Sequence, residues 1–245
     1  MPQQPIIQII EITKQAQQGR SEPYLCIGDN GLNYYVKGRQ SGSLATRVNE
    51  WICAHLGRAL GLPIPEFRLA EISPDLLGVT SSNLRSIGVG LGFASQEVPL
   101  ACWFEEANRA RVDDDLQRKL LIFDWWIRND DRTASNPNLL WDSANQKVVV
   151  IDHNLAFDSE FDPHGFKVNH IFGHHWDAIS SDLVSRSFYQ QQLEAALPAF
   201  DQALDSIPEE WQWMDLEQTR PSTIDFNQLR NQLLRCKTDN FWRAE

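Results

Sequence analysis

Between Arg128 and Leu140 the chain reads Arg128-Asn129-Asp130-Asp131-Arg132-Thr133-Ala134-Ser135-Asn136-Pro137-Asn138-Leu139-Leu140. A hydrophobic run, Val148 to Ile151, then ends in Asp152-His153-Asn154. A buried strand that ends in Asp puts a carboxylate at the edge of a cleft. Asp131 and Asn136, five residues apart, fall on a loop opening to the same side. Phosphoryl transfer needs such a set. One carboxylate orients or deprotonates an acceptor hydroxyl, while an amide oxygen and a second carboxylate hold Mg²⁺ on nucleotide phosphates. Hard oxygen ligands suit magnesium, so neither thiolate nor imidazole is required.

Protein kinases use the same order: a catalytic Asp, an Asn five residues on, and a metal-binding Asp after a short hairpin. That order also demands a Lys on the third strand of a small lobe, to pair with the nucleotide's phosphates. Lys37 ends the third predicted strand. A Glu on the next helix should steady it, and Glu50 is the candidate. At ~100° per residue Glu50 lies on the flank or back of its helix's apolar stripe, so a plain surface Glu is an equal reading. The phosphate loop is sparse: Gln18-Gly19-Arg20-Ser21 has one glycine, and no Walker A sequence occurs.

The elements that must carry these residues follow from periodicity. Ile6–Ile12, Tyr24–Ile27 and Leu32–Val36 read as three antiparallel strands, the last two around the turn Gly28-Asp29-Asn30-Gly31. A helix is predicted from Ser43 or Leu44 to Leu60, closed by Gly61 and Pro63, with Val48, Trp51, Ile52, Leu56, Ala59 and Leu60 as its apolar stripe. Phe67–Ile72 reads as a further strand. Residues 73–100 stay open, with Gly88–Gly92 fitting a strand, a loop or a connection. Asp113–Ile127 is a helix with acidic residues at its positive end. Leu139–Trp141 and Val148–Ile151 are short strands, and helices fill Asp182–Leu204, interrupted near Pro198, and Asp225–Phe241. The fold expected is α+β and two-lobed. A small antiparallel β lobe with one helix spans 1–97, and a larger, mainly helical lobe spans 98–245, with the nucleotide between them.

At these residues the chain resembles the small HipA-like kinases, whose fold is protein-kinase-like. The likeness rests on Asn-x-Asp-Arg-x-x-x-Asn (Asn129 to Asn136), on Asn138-Leu139-Leu140, and on the strand ending Ile151-Asp152-His153. Tyr35-Val36-Lys37, Asn49-Glu50 and Leu60-Gly61-Leu62-Pro63-Ile64-Pro65 are similar to that family's small lobe, and Gly19-Arg20-Ser21 to its phosphate loop. Gly90–Ser95 resembles the segment leading into the lobe connection. The resemblance covers about residues 6–160.

The resemblance implies Asp131 as catalytic base, Lys37 on the phosphates with Glu50 behind it, and Gly19, Arg20 and Ser21 covering them. It implies Asn136 and Asp152 as Mg²⁺ ligands. Asn138 holds the place directly before the Leu-Leu strand, so it competes with Asn136 for the metal; the five-residue spacing favours Asn136. Asn154 departs from the glycine common after Asp-His. The implied activity is ATP- and Mg²⁺-dependent transfer of the γ-phosphate to a Ser/Thr hydroxyl on a protein. Autophosphorylation and a toxin role beside an antitoxin partner come with the family. The alternatives are a small-molecule kinase, since no Ala-Pro-Glu segment follows Asp152, and a nucleotide-binding pseudokinase acting as a partner protein.

Composition limits the other classes. Of 245 residues, 42% are hydrophobic, and the net charge is −11. Residues 1–100 carry eight Lys/Arg and eight Asp/Glu, while 101–245 carry 14 and 25. An acidic second half argues against binding nucleic acid or anionic lipid. No apolar run reaches the ~18 residues of a membrane span, because Asp124 breaks the densest one. Four scattered cysteines and the lack of a basic leader point to reduced thiols and a cytoplasmic location. His170-x-x-x-His174 could set two imidazoles on one helical face, the spacing of a zinc site, against a loop-lining role. Arg132 reads as a structural ion-pair residue, and Asp130 as a solvated loop residue.

Overall fold

The computed structural model describes residues 6–16, 23–40 and 42–243. They form two compact units. The first comprises Met1–Trp51, Pro65–Pro99 and Ser206–Ile224; the second comprises Ile52–Ile64, Leu100–Asp205 and Asp225–Glu245. The expected segments 1–97 and 98–245 are continuous stretches, whereas these units interleave, and residues 206–224 group with the β-rich one.

In the first unit, β1 (Ile7–Gln15), β2 (Tyr24–Gly28) and β3 (Asn33–Lys37) are followed by α1 (Leu44–Ala59), of which residues 44–51 belong here and 52–59 to the second unit, and then by β4 (Phe67–Ile72), α2 (Pro74–Val79) and β5 (Gly90–Gln96). The strands close into a barrel in the order β1-β2-β3-β5-β4. Closure is made by β1 running parallel to β4, with Ile7 opposite Ala70. The purely antiparallel small lobe with one helix is therefore corrected on two counts, the parallel closure and the short α2. The open segment 73–100 resolves into α2, a 3₁₀ turn (Ser82–Ile87) and β5.

Alternation along each strand fills the barrel with Ile7, Ile9, Ile12, Tyr24, Cys26, Tyr34, Val36, Ala70, Ile72 and Ala94. Register shifts in β1 carry the inward set from Ile9 to Ile12, as a bulge does. Because Tyr34 and Val36 point inward, the pleat turns Lys37 to the outer face of β3. Close approach of β5 to that strand end requires Gly92: a Cβ there would lie 2.8 Å from the Lys37 carbonyl oxygen. Gly61, at φ 78°, terminates the chain leaving α1 in the left-handed conformation expected of it.

The second unit holds β6 (Ala101–Trp103), α3 (Glu106–Arg109), α4 (Asp114–Ile127), β7 (Leu139–Asp142), β8 (Lys147–Val150), α5 (Pro163–Asn169), α6 (Trp176–Ser180), α7 (Leu183–Ala196), α8 (Pro198–Asp205) and α9 (Phe226–Leu234). The predicted helix Asp225–Phe241 is shorter, giving way to 3₁₀ turns after Leu234. Asp113 caps α4 by accepting the Leu116 N–H at 3.0 Å. From Leu120 to Ile127 every residue of α4 is buried. Trp125 and Trp126 donate their indole N–H groups to the carbonyls of Phe241 and Leu233, at 2.7 and 2.8 Å, so both rings enter the core without an orphaned donor. Among the described residues no helix is long and apolar enough to cross a membrane, and no disulfide forms.

Candidate active site

In the barrel unit, Lys37 ends β3 and Glu50 lies midway along α1. Both are buried, at 7% and 2% exposure, and their side chains form a direct ion pair. The plain-surface reading of Glu50 is thereby corrected. The helical wheel assumed one covered face, but α1 is buried from Arg47 to Gly57 at every position except the intermediate Asn49 and His55. A helix wrapped on all sides has no back. The implied phosphate-loop residues Gly19, Arg20 and Ser21 lie outside the described residues.

In the helical unit, α4 ends on Arg128, whose left-handed φ of 51° turns the chain into the loop 129–138. Asp131 and two amides meet there. The Asn136 Nδ2 donates to Asp131 Oδ2 at 3.0 Å and to the Asp131 carbonyl at 3.2 Å. The Asn138 Nδ2 donates to the same Oδ2 at 2.9 Å. One carboxylate oxygen thus takes two amide protons, while Oδ1 accepts no hydrogen bond among the described residues. With each amide nitrogen committed to Asp131, each amide oxygen faces elsewhere as a hard donor. Asn136 and Asn138 are both brought to Asp131, so the choice left open by spacing stays open in the geometry. Asp152 follows β8 with φ 60°, a left-handed conformation that is uncommon for a non-glycine residue.

Beneath the loop is a fully buried ion pair. Arg132 Nε donates to Asp124 Oδ2 at 2.6 Å, with both residues at 0% exposure. The same guanidinium reaches the carbonyls of Pro137, Asn138 and Ile151 at 3.2, 2.6 and 3.2 Å. It therefore ties the loop to the residue before Asp152, which is the structural role read for Arg132.

A family model described as HipA-like kinase matches residues 9–245. The chain belongs to the HipA-like kinase family. Membership supports a phosphotransferase. Among solved structures, the Helicobacter pylori proinflammatory kinase CtkA is 14% identical, with 95% of this chain and 94% of that chain covered at a TM-score of 0.48. The Golgi casein kinase is 12% identical, with 96% and 72% covered, also at 0.48. No curated protein matches.

Two residues of this HipA-like kinase carry roles that periodicity did not reveal. Asp124 registers in the sequence as a charge interrupting an apolar helix, which is the one signal that could have found it. In the fold its carboxylate also accepts from Asn129 Nδ2 at 2.9 Å and pairs with His170 Nε2 at 3.1 Å. Burial alone would raise the Asp124 carboxyl, but Arg132 and His170 overcome it and hold the group well below the usual carboxylate range. His170 Nδ1 accepts the Phe172 N–H at 3.1 Å, so its proton sits on Nε2 and points at Asp124. Burial lowers the His170 imidazole and keeps it neutral.

The zinc reading placed His170 and His174 on one helical face. Instead His170 caps the C-terminus of α5, and His174 lies in a 3₁₀ turn with its Nδ1 3.0 Å from Arg109. Among the described residues no group of three His, Cys, Asp or Glu side chains could hold a metal ion. Asp130 is half-buried; burial and the neighbouring Asp158 raise its carboxyl.

Proposed function

We propose that this HipA-like kinase transfers the γ-phosphate of ATP, with Mg²⁺, to a Ser or Thr hydroxyl of a protein, including its own chain. The observation that carries the reading is the buried Lys37–Glu50 pair. Taking two charges out of water costs about as much as their attraction returns, so such a pair is a poor stabilising device and a good way to hold a cation ready. Lys37 would engage the nucleotide's phosphates, with Glu50 fixing the ammonium's position.

Asp131 fits the base. Its Oδ2 is held by two amides, and its Oδ1 accepts the proton of the acceptor hydroxyl. The oxygens of Asn136 or Asn138 and the carboxylate of Asp152 are the donor set that suits Mg²⁺, being hard and free of sulfur and nitrogen. When bound, the ion would neutralise charge on the phosphates. Arg132 maintains the spacing of that donor set by spanning the loop and the end of β8.

Incubation with labelled ATP and Mg²⁺ tests the reading. Label should appear on the chain or on a protein of a cell extract. Asp131→Asn should keep nucleotide binding and lose turnover by about 10²- to 10⁴-fold, whereas Asp152→Ala should lose metal-dependent nucleotide binding. Label confined to small metabolites would move the acceptor class. Binding with no turnover, indifferent to Asp131→Asn, would make the chain a pseudokinase. A toxin role predicts growth arrest on expression, relieved by Asp131→Asn.

A further inference from the structure

The Lys37–Glu50 pair joins a strand to a helix, and so near break-even an interaction cannot by itself hold the two elements together. A late segment of the chain grips both. Residues 206–224, more than a hundred positions downstream, belong to the barrel unit. They carry a 3₁₀ turn at Glu209–Gln212 and an isolated bridge between Trp213 and Pro221.

On the strand side, Glu210 pairs with Arg39 at 2.8 Å, two residues beyond Lys37. The Glu210 carboxylate also accepts the Leu91 N–H at 3.0 and 3.2 Å. Leu91 lies on β5, which pairs with β3 through Lys37 and Phe93. The carboxylate occupies the space that a side chain at position 90 would need. A Cβ on Gly90, whose φ is 107°, would lie 2.5 Å from Glu210 Oε1.

On the helix side, Trp211 is 1% exposed and donates its indole N–H to the Leu91 carbonyl at 3.0 Å. Its ring meets Trp51 edge-on at 6.4 Å, and the Arg47 guanidinium lies over it at 5.7 Å. Trp51 is the residue after Glu50, and Arg47 is one helical turn before it. Arg47 in turn donates to the carbonyls of Gly38 and Arg39 at 3.1 and 2.9 Å, the two residues that follow Lys37. Trp51 Nε1 also donates to Ser206 Oγ at 3.2 Å, where the segment begins. The contacts to Arg39, Arg47 and Trp51 flank the pair along the chain, and those to Leu91 hold the strand paired with β3.

We infer that residues 206–224 form a strap whose Glu210 and Trp211 are positioning residues, fixing the first half of α1 against β3 so that Glu50 stays on Lys37. The inference rests on the proposed use of Lys37 in phosphoryl transfer, and it deepens that reading. Weakening the strap should let the helix move relative to the strand and separate the pair, with the barrel intact. The rate of transfer would then depend on a segment that carries none of the residues proposed for the phosphates, the metal or the base.

The test is a double-mutant cycle on the full chain together with hydrogen exchange. Trp211→Ala should slow transfer about tenfold in the native background and less than about twofold in Glu50→Gln, because both changes disable one device. Trp211→Phe, which keeps an aromatic edge against Trp51, should restore most of the rate. Independently of ATP, Trp211→Ala should accelerate exchange of the 47–51 amides about tenfold and leave those of 125–127 unchanged. Glu210→Gln, the milder variant should Trp211→Ala fail to fold, should show the same pattern at smaller amplitude. Equal slowing in both backgrounds would overturn the inference, as would exchange unchanged at 47–51 or accelerated equally in both units. If the unaltered chain transfers no phosphoryl group, the functional reading falls, and the exchange result alone decides the strap.

Discussion

Among the described residues, each unit holds a buried ion pair between a basic and an acidic side chain, Lys37–Glu50 and Arg132–Asp124, and the two are built differently. In the helical unit Asp124 uses both carboxylate oxygens, receiving Arg132, Asn129 and His170, while Arg132 spends its remaining donors on three backbone carbonyls. Both residues are wholly enclosed. A planar guanidinium suits this purpose, because its fork can bind a carboxylate and several carbonyls at once in fixed directions. The barrel unit instead sets a compact ammonium at a strand end, with the carboxylate of Glu50 against it. Lysine is the residue for a point charge on a flexible stem. The contrast separates a charge consumed in shaping a loop from the charge proposed above to meet a phosphate.

The largest expected effect breaks the contrast from the helical side. Asp124→Ala should cost about 3–5 kcal/mol in denaturant unfolding, because it strands Arg132 in the core without its counter-charge. A cost below about 1 kcal/mol would mean that Arg132 finds other compensation and the network does not organise the loop. The barrel pair should behave oppositely. Replacing both members with apolar residues, Lys37→Met with Glu50→Leu, should leave stability within about 1 kcal/mol or raise it. Phosphoryl transfer should fall about a hundredfold or more, since the charge proposed to meet the phosphates is gone. If the double variant unfolds as readily as Asp124→Ala, the two pairs have the same role and the contrast is lost.

The smallest effect sharpens the comparison through pH. All six histidines lie outside the barrel unit. Burial lowers His170, and pushes His55 down to about 4, with Arg58 adding to the shift. A histidine kept neutral in the fold but protonated in the unfolded chain favours unfolding as pH drops below its unfolded value of about 6.5. The loss continues until the folded imidazole itself takes the proton. Asp124, depressed in the fold, adds a further loss below about pH 4, where the unfolded carboxylate gains its proton first. Between pH 7.5 and 5, amide exchange corrected for its intrinsic pH dependence should therefore quicken severalfold in α4 and α5, while β1 to β5 hold. Uniform quickening would show that the buried imidazoles do not set the acid response.

Much of the scaffold is legible in the sequence, and the departures from it have local reasons. The strand Phe67–Ile72 matches β4, and Asp113 was legible as the start of the long buried helix. Alternating and helical periodicities report which side of an element is covered when one side is wet. They fail where an element is covered all round, which is why Glu50 on α1 read equally as a surface residue, and why Asp124 on α4 read only as an interruption. The histidine spacing would mark one face only inside a continuous helix; His170 ends a helix, so a count of four residues no longer does so, and a loop-lining place fits instead. Residues 73–100 resisted reading partly because two of their glycines serve close approach to other segments, Gly92 to Lys37 and Gly90 to Glu210, which local spacing does not show.

By itself the amino-acid order settled the chemical vocabulary: oxygen donors at Asp131, Asn136, Asn138 and Asp152, a strand-end Lys37, and the elements that carry them. Those follow from residue type and near-neighbour spacing, which the chain states directly. Tertiary structure alone decided that Glu50 is inside and paired, that Asp124 and His170 sit beneath the loop, and that residues 206–224 pack beside the first fifty. These rest on contacts between residues from 5 to 171 positions apart, and desolvation acts on what is near in space, whatever the distance along the chain.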